Sequence, residues 1–174
     1  MLDRVAIVGA SSTGKTTLCD LLRTKLTCHE FVGETTRIVN SYGFPINEDG
    51  TDATQLAISS LHLINLLIPN PLIMDRCYLD LLAYSRFLHI DKSTYNFIEE
   101  TWHSIKHHYT HFIYCPVEFI SVDDGIRSVN EIWRQHIDMQ IVNILQESKL
   151  SHLTVTGTPE ERVEQVLKYI GNGR

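Results

Sequence analysis

Residues 5–17 read Val5-Ala6-Ile7-Val8-Gly9-Ala10-Ser11-Ser12-Thr13-Gly14-Lys15-Thr16-Thr17. The first four form an apolar run of strand type, and Gly9 to Thr16 complete the pattern G-x-x-x-x-G-K-[ST]. A strand that hands a glycine-rich loop to a helix aims several backbone N–H groups and the positive end of the helix dipole at one point. Polyphosphate suits that point. Gly9 and Gly14 permit the turns, and Ala10, Ser11, Ser12 and Thr13 supply the backbone between them. Lys15 has the reach for β- and γ-phosphates, the Thr16 hydroxyl suits a Mg²⁺ ion, and Thr17 is placed for the α-phosphate. ATP with Mg²⁺ is the expected occupant. A bare glycine turn with an exposed lysine is the alternative, but spacing, residue types and the strand-to-helix context agree against it.

Outward from the loop, short β-like apolar runs alternate with longer segments of helical period, the pattern of an α/β sandwich around a parallel sheet. The spacing predicts strands over Arg4 to Val8, Glu30 to Gly33, Leu72 to Asp75, His111 to Cys115 and Leu153 to Thr156. It predicts helices over Lys15 to Leu26, Thr35 to Ser41, Thr51 to Leu67, Tyr78 to Leu88, Ser93 to His107, Asn130 to Glu147 and Pro159 to Ile170. Pro69-Asn70-Pro71 stops one helix before a strand, while Thr158-Pro159-Glu160-Glu161 offers an N-cap, an N1 proline and an acidic first turn. In such a sheet, ligand chemistry gathers at the carboxyl ends of the strands.

A chain of 174 residues suits one domain, 1–174, with a lid segment near 120–135. The net charge of −6 argues against a molecule that binds nucleic acid over its whole surface, although a local basic groove remains compatible with it. Cys19, Cys28, Cys77 and Cys115 form no C-x-x-C pair, and no secretory leader precedes the first strand, which fits a reducing cytoplasm. The longest apolar stretch, Leu56 to Ile68, is broken by Ser59, Ser60, His62 and Asn65 and is too short to span a bilayer.

Several residues could carry chemistry. Asp75 and Arg76 end the third predicted strand at the edge that bears the loop. The acid suits Mg²⁺ or an acceptor proton, and the guanidinium suits an acceptor phosphate or developing charge. A structural ion pair is the alternative. Glu34 and Arg37, three apart, share one side of a helical turn and suit acceptor positioning, or else a surface salt bridge. Between Val122 and Gln135 an Asp124-Gly125 turn and two arginines, Arg127 and Arg134, read as a closing flap, or as a loop before a solvated helix start. Thr156 to Pro159 would pass beside the phosphate loop and could pack on a purine. Tyr42, Phe44, Tyr78 and Tyr84 could stack on a base or serve the core. His103, His107, His108 and His111 lack a carboxylate or cysteine to complete a zinc set and read as surface histidines.

Taken together, these motifs resemble the nucleoside and nucleotide kinase branch of the P-loop fold. Asp75-Arg76-Cys77-Tyr78-Leu79-Asp80-Leu81-Leu82-Ala83-Tyr84 is similar to the D-R-x-x-x-S-x-x-A-Y signature of thymidylate kinases, departing at Asp80, where serine is usual. The set Gly9 to Thr16, Glu34 to Arg37, Asp75-Arg76 and Asp123 to Arg127 resembles small ATPases related to the ribosylnicotinamide kinase domain of NAD-biosynthesis regulators. The resemblance implies a P-loop kinase-type three-layer sandwich with a five-stranded parallel sheet. It also implies ATP and Mg²⁺ as cosubstrates, with Thr16 and Asp75 at the metal. Lys15, Glu34, Asp75, Arg76, Arg127 and Arg134 would be the catalytic set, and Glu34, Arg37, Arg76 and Tyr78 would contact a nucleoside- or nucleotide-like substrate.

Bacteriophage kinases that phosphorylate 5-hydroxymethyluracil within DNA are a further resemblance, which implies modified DNA as substrate and a host cytoplasm as location. Arg23, Lys25, Arg37, Arg86, Lys92 and Lys106 could then line one face. A homodimer is compatible with the chain. The rival expectation is an NTPase switch or a nucleic-acid-stimulated ATPase. No N-K-x-D guanine-reading motif is present, which disfavours a GTPase.

Overall fold

The computed structural model describes residues 2–118 and 130–171. Five parallel strands, β1 (Arg4–Val8), β2 (Glu30–Val32), β3 (Leu72–Asp75), β4 (His111–Tyr114) and β5 (His152–Thr154), lie in the order β2-β3-β1-β4-β5. The helices are α1 (Lys15–Arg23), α2 (Thr35–Ser41), α3 (Asp52–Asn65), α4 (Tyr78–Ser85), α5 (Lys92–Ile105), α6 (Glu131–Glu147) and α7 (Pro159–Gly171). Short 3₁₀ turns occupy Asn47–Asp49 and Lys106–His108.

Strand β1 is central because it is apolar on both faces, as a strand covered by two helical layers must be. Ala6 and Val8 point with Leu72, Met74 and Phe112 into a core that packs helices α3 to α6. Val5 and Ile7 point with Ile73, Ile113 and Val155 the other way, against α1 and α7. The result is the expected three-layer sandwich. The expected helix over Thr35 to Ser41 forms with those bounds, while α1 stops at Arg23, before the expected Leu26. There Thr24 turns back, its hydroxyl donating to the Leu21 carbonyl at 2.7 Å.

Local chemistry fixes the element ends near the site. Thr51 and Thr54 form a reciprocal cap on α3. The Asn130 side chain accepts from the Trp133 N–H at 3.1 Å to start α6. Thr158 caps α7 as its sequence suggests, its hydroxyl accepting from the Glu161 N–H while Glu161 accepts from the Thr158 N–H at 2.8 Å. No described helix is long and apolar enough to cross a membrane.

Candidate active site

The parallel register brings the carboxyl ends of β1 and β3 side by side, with Ile7 opposite Asp75. The phosphate loop and the Asp75-Arg76 pair therefore share one edge. The loop has the backbone its glycines were expected to allow. Gly9 has φ of 152° and Gly14, at the N-cap of α1, has φ of 84°. A Cβ on Gly9 would come within 2.4 Å of the Cys115 carbonyl oxygen, so no larger residue fits there.

Lys15 is buried, and its ammonium donates to the Ala10 carbonyl and, at 3.2 Å, to the Thr13 hydroxyl. Burial, with the neighbouring Arg76 charge, lowers its pKa to about 8 against the pull of Asp75, Asp80 and Glu34. Thr16 donates its hydroxyl proton to Asp75 Oδ2 at 2.7 Å. The other oxygen of that carboxylate, Asp75 Oδ1, is buried without a hydrogen-bond partner. A hydroxyl beside a carboxylate with one uncommitted oxygen is a hard-oxygen donor set that fits Mg²⁺.

Arg76 enters the site from a left-handed backbone, φ 74°, a conformation costing a residue with a side chain about 1–3 kcal/mol and typical of sites where surrounding contacts dictate geometry. Those contacts are dense. Nε donates to Glu34 Oε1 at 2.6 Å, Nη1 to the Gly9 carbonyl at 3.2 Å and to Asp80 at 3.5 Å, and the guanidinium lies 5.4 Å from the Tyr84 ring centroid. Glu34, the residue before α2, is shared: its second oxygen accepts from Arg37 Nε at 3.1 Å. Burial would raise the Glu34 pKa, but Arg76, Lys15 and Arg37 together hold it down to about 2.

Two cavities meet at this pair. One is walled by Ser12 to Thr17 of the loop, with Glu34 and Arg76. The other, about 450 Å³ of space partly open to solvent, is walled by Glu34, Arg76, Asp80, Gln55, His62 and Tyr84, with Ile46, Ile58 and Leu81 among its apolar lining. Among the described residues, only Glu34 and Arg76 line both. His62 is buried, with Nε2 3.1 Å from the Thr35 hydroxyl, and burial followed by the Arg76 charge lowers its pKa to about 3.

The remaining candidates are distributed as follows. Arg134 is buried, donating from Nε to the Ser11 carbonyl at 2.9 Å and from Nη2 to the Ser12 carbonyl at 3.4 Å, so it reaches the back of the phosphate loop and is not part of a solvated helix start. Arg127 and the Asp124-Gly125 turn lie outside the described residues. Tyr78 corrects the expected substrate contact. It is fully buried in the core with its hydroxyl 2.8 Å from Ser59 Oγ, because every side of α4 near its start is covered by protein. Tyr84, one helical turn and a half later, lines the cavity instead.

Two residues that the sequence did not single out as functional belong to the same constellation. Asp80 is buried, accepting from the Cys77 N–H at 2.9 Å and the Gly9 N–H at 3.3 Å, and burial raises its pKa despite Arg76 and Lys15. Arg162 of α7 donates from Nη1 to the Thr13 carbonyl at 2.8 Å, from Nε to the Gly157 carbonyl at 3.1 Å and from Nη2 to Glu118 at 2.6 Å. Its signal was available: 162, 166 and 170 are i, i+4, i+8 on α7, and the other two are the buried Val166 and Ile170. A cation on an apolar stripe needs a buried partner.

A model of the AAA domain family matches residues 4–162. The chain belongs to the AAA domain family. No curated protein sequence matches it. Among solved structures, NadR protein in complex with NAD and AMP-PNP superposes with a TM-score of 0.77 at 14% identity, covering 98% of this chain and 50% of that one. The chain thus spans about half the length of NadR. Deoxyadenosine kinase from M. mycoides, in complex with dCMP and dCDP, superposes at 0.70 with 13% identity, covering 98% and 100%. Thymidylate kinase from Candida albicans gives 0.68 at 15% identity, covering 99% and 92%. The fold of this AAA domain is that of P-loop kinases.

Proposed function

We propose that this chain is an ATP-dependent phosphotransferase that moves the γ-phosphoryl group to a nucleoside- or nucleotide-like acceptor. The observation that carries the reading is the shared wall: Glu34 and Arg76 line both the phosphate-loop cavity and the neighbouring cavity. A group passing from one cavity to the other crosses between a carboxylate and a guanidinium, which is what phosphoryl transfer asks of a protein.

The roles divide by position. The amides of Ser12 to Thr17 and the Lys15 ammonium bind the phosphates of ATP. Thr16 and Asp75 would hold Mg²⁺, which would supply positive charge to offset that of the bound phosphates. Asp75 faces Thr16 and does not line the second cavity; of Glu34 and Asp80, which do, Glu34 also lines the phosphate-loop cavity, so Glu34 is the acid that meets the acceptor. Arg76 offers positive charge at the boundary where negative charge spreads in the transition state. Arg134 acts through the loop it holds, and Arg127 is proposed as a second lid arginine from its place in the sequence alone.

Transfer of labelled γ-phosphate from ATP tests the reading across one panel: nicotinamide riboside, deoxynucleosides, deoxynucleoside monophosphates, and DNA with or without 5-hydroxymethyluracil. Label in one acceptor, lost in Lys15→Ala, is the expected result. Label retained only by hydroxymethylated DNA selects the DNA-base kinase. Lys15-dependent ATP consumption with every acceptor unlabelled overturns the kinase and favours an NTPase switch.

A further inference from the structure

The acceptor cavity distinguishes two kinds of acceptor that the same arginines would seem to welcome equally. We infer that the acceptor is an uncharged hydroxyl of a nucleoside-like molecule and not the phosphate of a nucleotide. The inference rests on the kinase reading above and concerns the same site.

Charge in the second cavity is the first observation. Among the described residues that line it, Arg76 is the only fixed cation, and Glu34 and Asp80 are two carboxyl groups. His62, the remaining ionisable base on the wall, is neutral at any physiological pH because burial and Arg76 hold its pKa near 3. Arg37 is outside the lining, with its Nε on the far oxygen of Glu34. A phosphomonoester entering here would bring about two negative charges beside two carboxyl groups.

The second observation is that Arg76 is already engaged with protein partners at Nε and Nη1. Its Nε is on Glu34, its Nη1 on the Gly9 carbonyl and Asp80, and Tyr84 is hydrogen-bonded to the same guanidinium. An acceptor phosphate gripped bidentately through Nε would compete with Glu34 for a buried ion pair at 2.6 Å. A hydroxyl needs no such exchange. It donates one hydrogen bond to a Glu34 oxygen and leaves the pair standing.

The rest of the lining fits a neutral body. Ile46, Ile58 and Leu81 supply apolar contact, and Gln55, whose Oε1 accepts from Ser85 Oγ at 3.2 Å, turns a fixed carboxamide to the cavity wall.

In the step this implies, the acceptor oxygen forms a bond to the γ-phosphorus as the bond from that phosphorus to the β,γ-bridging oxygen breaks. ADP leaves with the bond's electron pair. The hydroxyl proton passes to Glu34 and from there to water. Held to a low pKa by its arginines, Glu34 serves first to orient the hydroxyl and takes the proton only late, when the new bond has made that proton acidic.

The test pairs each nucleoside with its own 5′-monophosphate, using the four deoxynucleosides and nicotinamide riboside, in the γ-label transfer assay with wild-type protein. The expected result is a kcat/KM for one nucleoside roughly 100-fold or more above that of its monophosphate, since like charges set against each other in a desolvated site cost several kcal/mol. Label entering only hydroxymethyluracil DNA also supports the inference, because that acceptor is likewise an uncharged hydroxyl. A monophosphate preferred over its nucleoside overturns the inference and leaves the kinase reading standing. ATP binding with no acceptor labelled overturns the kinase reading, and the inference with it. As a check on the charge argument, Asp80→Asn should improve monophosphate binding, measured by calorimetry, at least about threefold; unchanged or weaker binding counts against it.

Discussion

Replacing Glu34 by glutamine removes one charge and almost no volume, so its effect isolates the electrostatics of the site. The sign follows from the pKa. Glu34 falls from an ordinary 4.5 to about 2 on folding, because Arg76, Lys15 and Arg37 outweigh the cost of burial. A carboxylate depressed in this way stabilises the folded state above its unfolded pKa and loses that stabilisation as pH falls toward the folded value. At about 1.4 kcal/mol per pKa unit, the contribution at pH 7 is about 3 kcal/mol. The same linkage leaves about 2 kcal/mol at pH 3.5. Glu34→Gln should therefore be less stable than wild type by about 3 kcal/mol at pH 7 in urea unfolding, within the range expected when one partner of a buried pair is removed. The gap should narrow by roughly 1 kcal/mol between pH 7 and pH 3.5. A gap that stays constant with pH, or one below about 0.5 kcal/mol at pH 7, would refute the claim that Glu34 is held ionised by the surrounding cations.

Other perturbations give distinct signatures. Lys15→Met should abolish phosphate transfer without lowering the melting temperature: an ammonium whose pKa is lowered to about 8 costs folding stability below that pH, so its removal compensates for the bonds to Ala10 and Thr13. A fall in Tm of several degrees at pH 7 would contradict this. Asp75→Asn should raise the Mg²⁺ concentration needed for half-maximal transfer at least about tenfold, the usual scale for a lost charged donor; an unchanged Mg²⁺ titration would remove Asp75 from the metal. Arg162→Ala should weaken ATP binding roughly 10- to 100-fold in calorimetry while acceptor KM stays within about twofold, as expected for the loss of a charged hydrogen bond worth about 1.5–3 kcal/mol. Equal losses for both ligands would mean that Arg162 supports the whole fold.

The strands were legible because β1 and β3 are short, apolar on both faces and bounded by turns, and the loop motif fixed where β1 had to end. Legibility failed where function depends on residues distant in sequence. Ser59 and His62 read as interruptions of an apolar stretch, yet with Thr54 and Gln55 they are buried polar positions of α3, and Gln55 and His62 line the second cavity. Nothing local says which face of α3 will meet the end of β3. Tyr78 and Tyr84 are separated in the same way: both are aromatic residues on α4, and only packing decides that one enters the core and the other meets Arg76.

Arg134 and Arg162 show why such distant residues matter to the motif itself. They come from opposite layers, α6 on the face of Ala6 and Val8 and α7 on the face of Val5 and Ile7. Arg134 takes the carbonyls of Ser11 and Ser12, and Arg162 takes that of Thr13. In a trans peptide unit the carbonyl and the following N–H point in opposite directions. Fixing the carbonyls of residues 11, 12 and 13 outward therefore turns the N–H groups of Ser12, Thr13 and Gly14 inward, toward the cavity where phosphate binds. The pattern G-x-x-x-x-G-K-[ST] names a chain able to adopt that shape, and the two arginines hold it there before any nucleotide arrives. Because each is anchored in a different helical layer, the loop keeps its aim only while both layers are packed on the sheet, so the affinity of this site for phosphate depends on the whole sandwich and not on the motif alone.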